Sequence, residues 1–289
     1  MKTIFLNDLA SNSRSELRPS VMALGFFDGI HLGHQKLIEK AKEISKQKKL
    51  ELSVLTFFPH PKEILSQEKF HYLIPLEKKI EILRDMGVER LYVVRFDKEF
   101  ASLAPELFVK EYLLSLHVKE VVAGFDFTYG SGGLGTMQTL EANGKGAFLV
   151  NKLSKVELNG NKISSTLIRK LLSSGQVNQI ADYLGDYYQT QGYITNLYPI
   201  YNLKTVSRIR YYVSAFNTLP NAGTYEADVL IKKQWVRCIC HVFLTKAGKV
   251  TVEMKIPREI NIRSREEVTI KWLSKCSEKT TILLKHLNG

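Results

Sequence analysis

The chain has 289 residues, 44% of them hydrophobic, which is enough to bury at least one ordinary core in one large or two moderate domains. No apolar run approaches the roughly 18 residues of a membrane span, and the start Met1-Lys2-Thr3-Ile4-Phe5 lacks a signal peptide's apolar stretch and cleavage site. A cytoplasmic protein with no membrane role is therefore expected, and three cysteines, too few for a disulfide framework, agree with a reducing compartment. The formal net charge of +12 divides into +4 over residues 1–185 and +8 over residues 186–289. Such a balance suits anionic partners. The basic residues are scattered and do not cluster with aromatics, which argues against a dedicated nucleic-acid surface.

In chain order, the pattern begins with a strand at Val21 to Leu24 and a helix from about Gly33 to Lys49, where Leu37, Ile38, Ala41 and Ile44 share one face. Strands follow at Leu52 to Phe58, Arg90 to Phe96, Val118 to Ala123 and Ala147 to Val150. Helices run from Pro75 to Met86, closed by Gly87, and from Pro105 to Leu116, each opening on a proline suited to a first helical turn. This alternation predicts an α/β fold: a Rossmann-like parallel sheet covered on both faces, with ligands at the carboxyl ends of its strands. Helical stretches at Ser164 to Ser173 and Gln176 to Leu184 close a first domain over residues 1–185. From Asp186 the texture changes to alternating β-branched and aromatic residues, as in Gly223 to Leu230 and Val250 to Met254, with turn signals at Asn221-Ala222-Gly223 and Lys246-Ala247-Gly248. Residues 186–289 thus read as a smaller, mostly antiparallel β module.

The strongest chemical signal is Gly25-Phe26-Phe27-Asp28-Gly29-Ile30-His31-Leu32-Gly33-His34, which follows the first strand and opens the first helix. Two histidines in an H-x-G-H spacing at a helix start can face one side, where unpaired N–H groups and the helix dipole already favour phosphate. Gly33 leaves room for a polyphosphate to approach the backbone, and the imidazole N–H groups can donate to oxygens that gain charge as a pyrophosphate departs. A second constellation, Ile163-Ser164-Ser165-Thr166-Leu167-Ile168-Arg169, places hydroxyls at another helix start with an arginine one turn in. That pattern is either a plain cap with a helix cation or a second phosphate grip.

Two further signals point elsewhere and carry less. Gly130-Ser131-Gly132-Gly133-Leu134-Gly135 matches G-x-G-x-x-G, but no apolar helix is expected to open at Gly135, so a mobile loop over the substrate is the better reading. Cys238-Ile239-Cys240-His241 invites a metal reading, yet alternation puts both cysteines on one strand face and His241 on the other, so free cysteines packed in a β module are expected.

The first motif, Thr56-Phe57-Phe58-Pro59-His60-Pro61, Gly124-Phe125-Asp126-Phe127-Thr128-Tyr129-Gly130 and the I-S-S-T-L-I-R run together resemble the FMN adenylyltransferase module of bacterial FAD synthetases, over about residues 15–185. The first and last motifs alone would equally suit cytidylyltransferases or pantetheine-phosphate adenylyltransferases, and the middle two point to flavin. The resemblance implies ATP and FMN as small-molecule substrates, FAD and pyrophosphate as products, and Mg²⁺ held mainly through the ATP phosphates. By the same resemblance His31 and His34 hold the ATP phosphates, and Ser164, Ser165, Thr166 and Arg169 grip them from the other side. Gly25, Phe26, Phe27, Asp28 and Gly33 line the nucleotide and Asp126 orients the reactants. Phe57, Phe58, Pro59, His60, Pro61 and Tyr129 form the flavin side.

Phe26 stands where Asn or Val is more usual in that family, Phe58 where an acidic residue is common, Asp126 where many relatives have Asn and Tyr129 where Phe is common. The changes at Phe26 and Phe58 leave open a non-catalytic flavin- or nucleotide-binding regulator. Leu219 to Tyr225 resembles the start of the riboflavin kinase barrel that most members carry next. The G-[FY]-P-T-A-N element of that kinase, whose Thr and Asn hold metal and phosphates, occurs nowhere; after Gly192 to Asn196 the chain continues Leu197-Tyr198-Pro199-Ile200-Tyr201-Asn202-Leu203. A degenerate kinase-like module, and no phosphorylation of riboflavin, are therefore expected.

Overall fold

The computed structural model describes residues 1–6, 17–66, 69–199, 206–213, 217–245, 250–257, 260 and 263–277. The chain forms two compact units, one of residues 1–70 and 76–163, the other of residues 71–75 and 164–289.

The first unit runs β1 (Lys2–Phe5), β2 (Ser20–Leu24), α1 (Leu32–Lys48), β3 (Glu51–Phe58), α2 (Pro61–Leu65), α3 (Leu76–Asp85), β4 (Arg90–Arg95), α4 (Lys98–Ala101) and α5 (Pro105–Val109). It continues with β5 (Val118–Gly124), α6 (Met137–Gly144), β6 (Leu149–Leu153) and a two-rung hairpin of β7 (Glu157–Leu158) and β8 (Asn161–Lys162). Among the described residues six strands pair in the order β1-β4-β3-β2-β5-β6, and every pairing is parallel. All five residues of β2 are buried, as a strand covered on both faces requires. The α1 stripe of Leu37, Ile38, Ala41 and Ile44 is buried as its spacing predicts. Full burial of a side chain such as Ile38 contributes about 2 kcal/mol.

This strand order contains a reversal, the position at which open parallel sheets bind ligands. From β2 the chain steps outward through β3 and β4, then returns to place β5 on the opposite flank of β2. The order therefore reverses between β2 and β5, and the loops leaving their carboxyl ends, one carrying the histidines and one carrying Asp126, flank that reversal.

Three local departures from the sequence reading have simple causes. The helix expected from Pro105 to Leu116 is α-helical only to Val109 and then widens into a π turn over Lys110–Leu114, with Ser115 N–H reaching the Lys110 carbonyl at 3.0 Å. The last sheet strand is β6, displaced a few residues beyond Ala147 to Val150. A helix does follow the glycine-rich run: α6 is capped by Thr136, which exchanges hydrogen bonds with Thr139, so a capping box substitutes for the missing apolar signal. The run itself is tied down, with Tyr129 and Gly135 exchanging backbone hydrogen bonds and Ser131 N–H bound to the Leu103 carbonyl.

The second unit contains α7 (Ser165–Ser174), ended by left-handed Gly175, α8 (Val177–Leu184), ended by left-handed Gly185, and β9 (Gln189–Pro199), β10 (Val206–Val213), β11 (Gly223–Ile231), β12 (Gln234–Leu244), β13 (Val250–Pro257) and β14 (Glu267–Lys275). These strands close an antiparallel barrel in the order β10-β13-β12-β11-β14-β9. Tyr225, Ala227, Val229, Cys238, Cys240, Ile270 and Trp272 fill its interior, and Trp272 Nε1 donates to Thr190 Oγ1 at 3.1 Å. Cys238 and Cys240 thus point inward, while His241 faces Thr224 with Nδ1 and Oγ1 3.0 Å apart. The β11–β12 turn is Lys232-Lys233, both with positive φ, a hairpin geometry that usually advertises itself with Asn-Gly. The turn signal at Lys246 to Gly248 lies outside the described residues. Residues 71–75 join this unit through Tyr72, which pairs with Asn217, and through Leu73, whose carbonyl accepts from the buried Tyr188 hydroxyl at 3.1 Å.

Candidate active site

β2 ends at the sheet's carboxyl edge, and the six residues to Ile30 make a tight turn in which Phe27, Gly29 and Ile30 adopt positive φ. For phenylalanine and isoleucine that backbone is strained, and it persists because both side chains are fully buried and over-determine it. The turn delivers His31 as the N-cap of α1. Its Nδ1 accepts the His34 backbone N–H at 3.2 Å, and its ring stacks on the His34 ring with centroids 3.6 Å apart and planes 14° from parallel. A side chain at Gly33 would bring its Cβ within 3.2 Å of the His31 ring. The glycine therefore spares that imidazole a crowded contact, a reason for it beside the expected approach of a polyphosphate to the backbone.

Burial holds the His31 pKa down at about 4, assisted by the nearby Lys162 and opposed by its own backbone hydrogen bond and Asp126. Burial, then His31, then Lys79 push His34 well below the ordinary imidazole range. Both rings are neutral at pH 7. Because His31 Nδ1 is an acceptor, its proton sits on Nε2, which leaves that N–H as the ring's donor. Neither carboxylate nor other acid occupies the first turn of α1. The arrangement can donate hydrogen bonds to an anion at a helix N-terminus without carrying a fixed positive charge of its own.

Behind the turn lies a residue that the sequence reading missed. Lys79 of α3 is 1% exposed, and its Nζ donates to the Phe26 carbonyl at 2.7 Å while lying 4.6 Å from the centroid of the Phe26 ring. Thr56 Oγ1 donates to the same carbonyl at 2.9 Å. Burial lowers the Lys79 pKa to about 8, with the buried Asp28 acting in the opposite direction. The available signal was positional: Lys79 falls three residues after Leu76 and four before Leu83, inside the stripe that α3 buries.

The residues read as a flavin side divide into two groups. His60, the N-cap of α2, stacks on Phe70 at 3.6 Å and meets the edge of Phe26 at 4.4 Å, beside the histidine-bearing turn. Phe58, Pro59 and Pro61 are half-buried next to it, with the Phe58–Pro59 peptide cis. Phe57 and Tyr129, by contrast, join the apolar core. Phe57 packs on Phe100, and Tyr129 is buried against Phe108, its hydroxyl 3.2 Å from both Thr139 and Asn143. Strand alternation explains the division, since Phe57 and Phe58 point to opposite sheet faces. Asp126 is exposed at the carboxyl end of β5 and ion-paired with Lys162, which also lies over the Phe125 ring.

The second constellation belongs to the other unit. Ser164 is the N-cap of α7, its Oγ accepting the Leu167 N–H at 3.2 Å. Ser165 is partly buried and Thr166 exposed. Arg169 donates to the Ser165 carbonyl at 3.3 Å and to the His71 carbonyl at 3.2 Å.

With this geometry established, comparison with known proteins is decisive. A family model described as FAD synthetase matches residues 13–167. The chain belongs to the FAD synthetase family. A bifunctional riboflavin kinase/FMN adenylyltransferase of Listeria monocytogenes is 45% identical over 194 residues, 66% of this chain and 62% of that protein. A FAD synthetase from the same organism is 31% identical over 223 residues, 76% of this chain and 85% of that protein. The chain thus spans less than two thirds of the bifunctional relative's length. A solved structure named as a macrolide-efflux protein from Streptococcus pneumoniae superposes with a TM-score of 0.78 at 28% identity, covering 95% of this chain and 98% of that one. Among the described residues, no helix of the present chain is long and apolar enough to cross a membrane.

Proposed function

We propose that this family member is a cytoplasmic ATP:FMN adenylyltransferase that makes FAD and pyrophosphate. The observation that carries the reading is the stacked, neutral His31–His34 pair at the start of α1, placed at the reversal of the sheet order in a chain matching the FAD synthetase model. An FMN phosphate oxygen attacks the α-phosphorus of ATP; the new O–Pα bond forms as the bond to the bridging oxygen breaks, and pyrophosphate leaves with the electron pair. A phosphate monoester with a second pKa of about 6 is already largely dianionic at neutral pH, so the nucleophile needs no side-chain base. The protein's task is positioning and charge stabilisation. His31 Nε2–H and the His34 ring would donate to phosphate oxygens that gain charge. Mg²⁺ arrives with ATP as part of the substrate and neutralises the phosphates there.

His60, Phe26 and Phe70 supply planar surfaces beside the turn that suit a flavin ring. Asp126 and Lys162 would orient the reactants at the end of β5. The role of Ser164, Ser165, Thr166 and Arg169 as a second phosphate grip rests on their motif and on an α7 first turn without acidic residues. We also assign adenylyl transfer to residues 1–185 and propose that the barrel is a degenerate kinase module, because the chain has no P-T-A-N element. Supplying riboflavin and ATP without FMN tests this half of the reading. No product is expected until FMN is added, and sustained FMN or FAD formation from riboflavin would overturn it.

A further inference from the structure

We propose that Lys79 is a positioning residue for the histidine pair: its ammonium, together with Thr56, holds the Phe26 carbonyl and thereby fixes the turn that aims His34. The inference rests on the adenylyl-transfer reading and adds a residue outside every recognised motif of the chain.

Four observations carry it. Two donors from different elements, Lys79 Nζ on α3 and Thr56 Oγ1 on β3, converge on one backbone oxygen at 2.7 and 2.9 Å, and the donors themselves lie 3.4 Å apart. That oxygen belongs to the residue immediately before Phe27, whose left-handed backbone starts the turn. The Phe27 ring is fully buried and meets the His34 ring edge-on at 5.2 Å. A contact chain therefore runs from the ammonium through the carbonyl and the Phe27 ring to His34. Finally, a buried ammonium is costly and is only partly offset by the buried Asp28, so its presence against the Phe26 carbonyl points to a positioning role beyond packing. A charged donor to the carbonyl is roughly twice as strong as a neutral one.

The test is a double-mutant cycle on FAD formation from FMN and MgATP with Lys79→Met, Thr56→Val and both together, with melting temperatures measured alongside. Each single variant leaves the carbonyl one donor. Lys79→Met also strips the buried Asp28 of its cation, so its melting temperature is expected to fall while the protein stays folded; kcat is expected to drop tenfold or more, with the KM for ATP changed less than threefold. The double variant should fall below the product of the single effects, because the carbonyl then loses both donors. Lys79→Met with kcat within twofold of wild type, or effects that simply multiply, overturns the proposal. A raised KM with intact kcat does so too, since it would mean direct substrate binding. If Lys79→Met does not fold, Thr56→Val and the wild-type pH profile decide. Turnover must then fall as pH rises past about 8, where the ammonium deprotonates, and a flat alkaline profile contradicts the idea. A wild-type protein that makes no FAD refutes the parent reading instead, and the same cycle can be read on whichever acceptor it does adenylylate.

Discussion

The starts of α1 and α7 use the same device to opposite ends. In each, an N-cap side chain accepts the backbone N–H three residues on, His31 from His34 and Ser164 from Leu167, both at 3.2 Å, and neither first turn holds an acidic residue. At α7 the cap is a small hydroxyl and the nearby cation, Arg169, is spent on the Ser165 and His71 carbonyls. At α1 the cap is itself an imidazole, stacked on a second one, desolvated to a pKa of about 4 and preceded by a strained turn braced by a buried lysine. The same capping geometry therefore sits in two different settings. What distinguishes α1 is that burial and backbone strain are concentrated on its histidine pair and the turn before it.

The comparison breaks first if the two histidines are dispensable. Removing one preorganised donor typically costs on the order of 10²–10³ in turnover, so His34→Ala should lose that much in kcat while its melting temperature stays close to wild type. His31→Ala should lose a similar factor and also about 1 kcal/mol of stability, because it removes the cap as well. Steady-state kinetics with calorimetry on both variants separates the two effects.

Acid provides the next test. The His31 pKa in the folded protein, about 4, lies below its ordinary 6.5, so the unfolded chain takes up the extra proton first. The stability that a neutral His31 contributes is complete above pH 6.5 and is lost as pH falls towards 4, amounting to about 3 kcal/mol at most. Melting curves across that window should be shallower for His31→Ala than for wild type. Turnover should show no histidine limb near 6.5.

Two smaller effects sharpen the contrast. Ser164→Ala should cost about 1 kcal/mol of stability as a cap deletion, and a loss of kcat beyond that seen for a plain cap measures its share in the proposed second phosphate grip. Gly33→Ala should press on the His31 ring from 3.2 Å. Moving that ring off its rotamer costs on the order of 1 kcal/mol, a loss of up to about tenfold in kcat with little change in melting temperature.

Much of this contrast could be read from the sequence, and the parts that could not have physical reasons. The α1 stripe, the strand-to-helix position of H-x-G-H and the opposed faces of Cys240 and His241 follow from local periodicity, which tertiary contacts only confirmed. The strand order, and with it the reversal beside β2, depends on pairings between distant segments that no local pattern encodes. Lys79 is hard to read from the sequence because a lysine in an amphipathic helix ordinarily faces water, and only its register with Leu76 and Leu83 argues otherwise. That Phe57 and Tyr129, expected on the flavin side, pack against Phe100 and Phe108 depends on tertiary contacts that no motif encodes. The helix α6 escaped notice because it is short and held by a Thr136–Thr139 capping box.

The most direct test of the account is to incubate the purified protein with FMN and Mg²⁺ and with ATP labelled at the α-phosphorus, and to follow the label, FAD and pyrophosphate together. Adenylyl transfer predicts that the label enters FAD and that one pyrophosphate appears for each FAD formed. Label that stays in the nucleotide pool, or that passes to another phosphorylated acceptor while FMN is left untouched, would contradict it.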